Sequence, residues 1–160
     1  MRATVVGAGI VGLCAAWQLA KRGWGVTVVE AGPIPNPHAA SFDHHRLMRD
    51  FYPGEPGYTA RIGEAFDAWE ALWRDLGATL YIETGVLALS REAGDWTERC
   101  RATLDQTGLA YEVLAPAELD RRHPFLEPNG VRFGLMRPRG GALMAERILG
   151  ALGGWLRTRG

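Results

Sequence analysis

The sequence predicts an α/β fold built on a βαβ unit, and three observations within residues 1–30 predict it. An apolar run, Ala3-Thr4-Val5-Val6, leads into Gly7-Ala8-Gly9-Ile10-Val11-Gly12. An alanine-rich amphipathic segment follows to Arg22 and stops at Gly23. A second apolar run, Val26-Thr27-Val28-Val29, closes on the acid Glu30. Strand, glycine turn, helix, strand and acid, in that order, form the dinucleotide-binding fingerprint.

Each residue type answers a physical demand. Gly7 allows a sharp exit from the strand, because without a Cβ it takes positive φ at no steric cost. Gly9 carries no side chain, so a pyrophosphate can approach the backbone. Gly12 lets the helix pack closely on the strands. The helix N-terminus then offers unpaired N–H groups and a partial positive charge to phosphate. Glu30 can accept hydrogen bonds from a ribose 2′-hydroxyl and would repel a 2′-phosphate. A ligand with an adenosine diphosphate moiety is expected here.

The first helix is expected over residues 10–22, with Leu13, Trp17 and Ala20 on one stripe and Gly23 just past its end. Residues 31–57 hold five prolines, several glycines and no sustained period, so a long polar loop is expected. Loops of that length in compact domains are usually functional or disordered. Residues 58–76 return to helical spacing through Ile62, Phe66, Trp69, Trp73 and Leu76. Residues 80–84 and 85–89 suggest two short strands, or one strand bent at Gly85. Asp95 suits the N-cap of a helix over residues 96–107 that ends at Gly108. Residues 109–114 look extended, residues 116–122 form a short helix, and residues 133–136 look extended again. A turn at Pro138-Arg139-Gly140-Gly141 precedes a last helix over residues 143–158, with Met144, Ile148, Leu152 and Trp155 or Leu156 along one side. Gly150, Gly153 and Gly154 weaken that helix intrinsically, so packing must support it.

Composition narrows the function classes. The 160 residues carry 18 basic and 18 acidic side chains, and 47% are hydrophobic. That balance gives no support for nucleic-acid binding or attraction to a membrane surface. No apolar run approaches the roughly 20 residues that span a bilayer, and the N-terminal run is a glycine-broken strand, not a signal peptide. A cytoplasmic location is the expectation. Cys14 and Cys100 show no metal-ligand spacing, and a disulfide is not expected. The six tryptophans fall mostly on helical faces, which suggests core positions.

Three stretches together resemble FAD-dependent oxidases and dehydrogenases of amines and amino acids, the family of D-amino acid oxidase, in its sarcosine oxidase-like branch. They are Val5 to Gly12 with Glu30; the segment Ser41-Phe42-Asp43-His44-His45-Arg46-Leu47-Met48-Arg49-Asp50-Phe51-Tyr52, similar to a family Ser…Arg-x-x-Arg-x-x-Tyr pattern; and Thr84-Gly85-Val86-Leu87 with the later Arg139-Gly140-Gly141. The resemblance implies a Rossmann-like FAD-binding βαβ unit plus the beginning of a mixed α+β substrate domain. It implies that Gly7, Ala8, Gly9, Ile10, Val11, Gly12, Glu30 and Ala31 hold the ADP part of FAD. Ser41 and Arg46 would lie near the flavin or its pyrophosphate, and Arg49 would face a substrate carboxylate. Tyr52 would either contact substrate or pack beside it. A planar guanidinium suits a carboxylate because it binds in a bidentate way and stays charged. His44 and His45 are more simply surface residues.

Two departures qualify the match. Phe42-Asp43 stands where the sarcosine oxidase branch has a His-Gly pair, which leaves the substrate open. Family members also run to more than twice this length, so the chain is expected to be an N-terminal half, with residues 1–57 as nucleotide unit and arginine loop, 58–142 as connecting helices and strands, and 143–160 as a helix returning to the nucleotide unit. The implied activity is oxidation of the C–N bond of an amino acid or N-methyl amino acid to an imine. Alternatives are a non-catalytic ADP- or FAD-binding module, one half of a split enzyme completed by a partner chain, or an NAD-dependent enzyme.

Overall fold

A computed structural model describes residues 1–159, and their contacts divide them into two compact units. One comprises residues 1–46, 70–82 and 142–160; the other comprises 47–69 and 83–141.

In the first unit, β1 (Arg2–Val6), α1 (Ile10–Lys21) and β2 (Gly25–Val29) form the expected βαβ unit. β1 and β2 are parallel, with Val5 opposite Val28 and Val6 opposite Val29. The pleat half-buries Ala3, Val5, Val26 and Val28 and turns Thr4, Val6, Thr27 and Val29 outward. Leu13, Ala16 and Trp17 of α1 are buried. The helix ends in a paired bond pattern, with Gly23 N–H donating to the Ala20 carbonyl and Trp24 N–H to that of Leu19, which satisfies two orphan carbonyls. α1 packs against α5 (Ala145–Arg157), whose Ile148, Leu149 and Leu152 are buried. A Cβ on Gly153 would lie 3.1 Å from Ile34, whereas Gly150 and Gly154 face open space. Close packing thus explains one of the three glycines in this helix. The tail of α2 (Pro56–Leu76) also belongs here: Asp75 accepts from Trp17 Nε1 at 2.9 Å and pairs with Lys21 at 2.6 Å.

The second unit is built on three antiparallel strands in the order β5 (Val86–Ser90), β7 (Phe133–Arg137) and β6 (Glu112–Leu114). Leu87 faces Met136, and Val113 faces Leu135. α3 (Trp96–Thr107) starts on Asp95, whose carboxylate accepts from Glu98 N–H, as expected of the N-cap. Phe51, Val86, Cys100, Leu104, Phe133 and Leu135 form its main core. Leu119 of α4 (Pro116–Arg122) joins Leu114 and Val131 in a second cluster. Burial pushes the Cys100 thiol up to about 12, so it behaves as an inert core residue.

Two expectations need correction. The segment after Glu30 is not one continuous loop, since it contains β3 (Arg46–Arg49), followed by the buried Asp50 and Phe51. The glycines at 140 and 141 are not a turn but the start of β8 (Gly140–Leu143). Gly140 has φ +138, and a Cβ there would meet Val86 Cγ2 at 2.5 Å and the Met48 carbonyl oxygen at 2.9 Å. Only glycine fits that approach. β4 (Tyr81–Glu83) and β5 are two strands with Gly85 between them, one of the two arrangements expected. The chain passes between the units within β3, α2, β4 and β8. Among the described residues, no helix is long and apolar enough to cross a membrane, and no group of acidic, histidine or cysteine side chains could hold a metal.

Candidate functional site

The glycine loop of the first unit is built as its sequence demands. Gly7 has φ +95, and its N–H donates to the Val29 carbonyl at 2.7 Å, which ties the turn to the end of β2. A Cβ on Gly12 would collide with the Gly7 carbonyl oxygen, so the helix can sit against the turn only with glycine there. Gly9 is the N-cap of α1 and supplies no side-chain cap, and the first turn holds no acid. The helix N-terminus is therefore left open to an anion.

One first-turn donor is satisfied from far along the chain. Ile10 N–H donates to Ser41 Oγ at 3.1 Å, and the same oxygen lies 3.2 Å from the place a Gly9 Cβ would take. A larger residue at 9 would press on Ser41. Glu30, at the end of β2, accepts from Ala8 N–H at 2.6 Å with Oε2. Its Oε1 accepts from Ala31 N–H at 3.0 Å and from Asn36 Nδ2 at 2.7 Å. The Ala8 N–H first, and then the Asn36 amide, hold its carboxyl below the usual carboxylate range. Gly7, Ala8, Gly9, Ile10, Gly12, Glu30, Ala31 and Ser41 are thus gathered at one loop. The Val11 side chain is exposed beside it. Arg46 is engaged within its own segment, donating to the Ala40 carbonyl at 2.8 Å and pairing with Asp43 at 3.3 Å. His44 and His45 are exposed, and His44 stands 3.7 Å from Glu146.

The second unit places Arg49 at the end of β3. Its guanidinium carbon lies 4.9 Å from the ring centre of Tyr52 and 4.6 Å from that of Trp96. Its Nε is buried without a hydrogen-bond partner. A buried guanidinium N–H left unpaired is costly, and it suits an acceptor brought in by a ligand. Tyr52 also meets Tyr58 edge-on at 4.8 Å, so its ring is held from a second direction. The expected Arg49 and Tyr52 therefore sit together.

Four residues in contact with these groups were not evident in the sequence. Trp96 carries no signal beyond a helical position after an N-cap. Asp50 and Arg137 form a buried pair, Arg137 Nε donating to Asp50 Oδ1 at 3.0 Å, while Arg137 also donates to the Ala110 carbonyl. This pair fixes the residue next to Arg49. Asn36 lay in a stretch with no periodicity, so only its contact with Glu30 reveals it.

Comparisons with known proteins give the family. The family model described as DAO, FAD dependent oxidoreductase, matches residues 2–160. The peroxisomal sarcosine oxidase of Mus musculus is 33% identical over 150 residues, which cover 94% of this chain and 38% of that protein. That of Homo sapiens is 29% identical, over 99% of this chain and 40% of its own length. The crystal structure of NikD, an amino acid oxidase essential for nikkomycin biosynthesis, superposes with a TM-score of 0.83 at 28% identity, over 98% of this chain and 41% of NikD. The chain spans about two fifths of these relatives' length. It belongs to the DAO family of FAD-dependent oxidoreductases.

Proposed function

We propose that this chain grips the ADP half of FAD and contributes a carboxylate-binding arginine to the oxidation of an amino acid or N-methyl amino acid at its C–N bond. The observation that carries the reading is the glycine loop with its acid: a helix whose N-cap is Gly9 and whose Ile10 N–H alone is met by Ser41, a Gly7–Gly12 packing that excludes a Cβ at Gly12, and Glu30 bonded back to Ala8 N–H. These residues fit an ADP moiety, because the open N–H groups face an anion and the acid faces a hydroxyl donor.

In this reading Gly9, Val11 and Gly12 present N–H groups to the pyrophosphate, Gly7, Ala8 and Ile10 shape the loop through Val29, Glu30 and Ser41, and Glu30 with Ala31 holds the adenosine ribose. Ser41 fixes the first turn of α1 through Ile10, and Arg46 shapes residues 40–46 through Ala40 and Asp43. FAD supplies the two-electron acceptor when bound. Arg49 binds the substrate carboxylate, and Tyr52 holds the guanidinium by its ring face. The relatives named for sarcosine support a small amino-acid substrate. Val6 and Val29 are exposed on a two-stranded sheet, which supports further strands adding to it from the same or another chain.

The test is a visible spectrum of the purified protein after incubation with FAD and removal of free flavin. Retained flavin bands that are displaced by ADP and absent from Gly9→Val support the reading; a colourless protein that also fails to bind ADP overturns it.

A further inference from the structure

The acid that faces the ribose is itself held by a side chain whose role lies outside the glycine fingerprint. We propose that Asn36 is a positioning residue for nucleotide recognition: its amide fixes the Glu30 carboxylate in the orientation that receives a ribose hydroxyl. The inference rests on the nucleotide reading above and adds the residue that sets its selectivity.

An ionised carboxylate offers about four acceptor sites. Ala8 N–H is taken by Oε2, Ala31 N–H and Asn36 Nδ2 by Oε1, and Gly32 N–H also stabilises the charged carboxylate. Oε2 is the oxygen aligned with the glycine loop through Ala8 N–H. Asn36 is held in turn. Its Oδ1 accepts from His38 N–H at 2.9 Å, and its carbonyl accepts from Ala39 N–H at 3.0 Å. A flipped amide would set oxygen against carboxylate and nitrogen against an N–H, so these contacts determine its orientation. Gly32 packs so closely that a Cβ there would lie 3.0 Å from Asn36 Nδ2. Asn36 thus bridges a local turn to the acid and removes the rotamer freedom that an exposed glutamate would lose on binding.

The experiment titrates ADP and 2′-deoxy-ADP calorimetrically into the protein and into Asn36→Leu and Asn36→Asp. The aspartate keeps the acceptor for His38 N–H, so the turn survives in a variant that lacks the donor to Glu30. The wild-type protein is expected to prefer ADP by about tenfold, the scale of a hydrogen bond to a charged group. In both variants that preference falls to about twofold or less. A variant that is folded by circular dichroism and weakens both nucleotides equally, keeping their ratio, overturns the proposal and makes Asn36 purely structural. If the wild-type protein binds neither nucleotide, the nucleotide reading itself fails, and the role of Asn36 fails with it.

Discussion

The Gly7 carbonyl oxygen occupies the space that a Cβ on Gly12 would need, so the turn and the first helix of the βαβ unit exclude a side chain between them. Gly12→Ala must therefore push α1 away from the turn or distort the Gly7 peptide. Overpacking of this kind costs about 1–3 kcal/mol. Urea unfolding should show that loss, and ADP binding should fall with it because the helix N-terminus moves.

The Asp50–Arg137 pair gives a prediction of a different kind. Both residues are buried, at 4% exposure each, and Arg137 Nε lies 3.0 Å from Asp50 Oδ1. Removing one partner strands a buried charge, so Asp50→Leu or Arg137→Met alone should cost about 3–5 kcal/mol. The double variant Asp50→Leu with Arg137→Met should recover most of that in the same unfolding assay. Additive losses would show that the pair is not coupled.

The N-cap of α3 predicts a pH dependence. Burial alone would raise the Asp95 carboxyl, but hydrogen bonds from the N–H groups of Glu98, Arg91 and Glu92 bring it down to about 2. The folded value is depressed below the unfolded one of roughly 4. Its stabilisation is therefore complete above about pH 4 and is lost as pH falls toward 2. Asp95→Ala should cost about 1 kcal/mol at neutral pH. Its unfolding curve should merge with that of the wild type near pH 2.

Arg49 makes a prediction about ligand chemistry. Its guanidinium lies over two rings and leaves Nε without a partner. Arg49→Lys keeps a positive charge but loses the planar fork, so carboxylate affinity should drop about tenfold. Quenching of Trp96 by an added amino-acid carboxylate is the measurement, with Trp96→Phe as the silent control. An equal response in the lysine variant would contradict a bidentate site.

Local signals in the chain were legible, and distant pairings were not. The βαβ unit, the Gly23 helix end and the Asp95–Gly108 bounds of α3 are written in adjacent residues, so each could be predicted from its own stretch. β3 was missed because Arg46–Arg49 shows no alternation of its own; Met48 is buried while Leu47 is exposed. The partners Asp50 and Arg137 stand 87 positions apart, and nothing in either segment names the other. Arg49 and Tyr52 stand in one motif and meet in the structure, whereas Trp96, which also meets Arg49, looked like one more helical tryptophan. Of the glycine loop and its contacts, the glycines and Glu30 were plain, whereas Asn36 is recognised only through the 2.7 Å contact.

The central claim is that the Gly7–Gly12 loop and Glu30 hold the ADP end of FAD. Calorimetric titration of ADP into the wild-type protein and into Gly9→Val tests it most directly, because the valine would press on Ser41 and fill the phosphate approach. The account predicts a saturable single-site isotherm for the wild type and none for a folded Gly9→Val. Identical isotherms, or none in either protein, would contradict it.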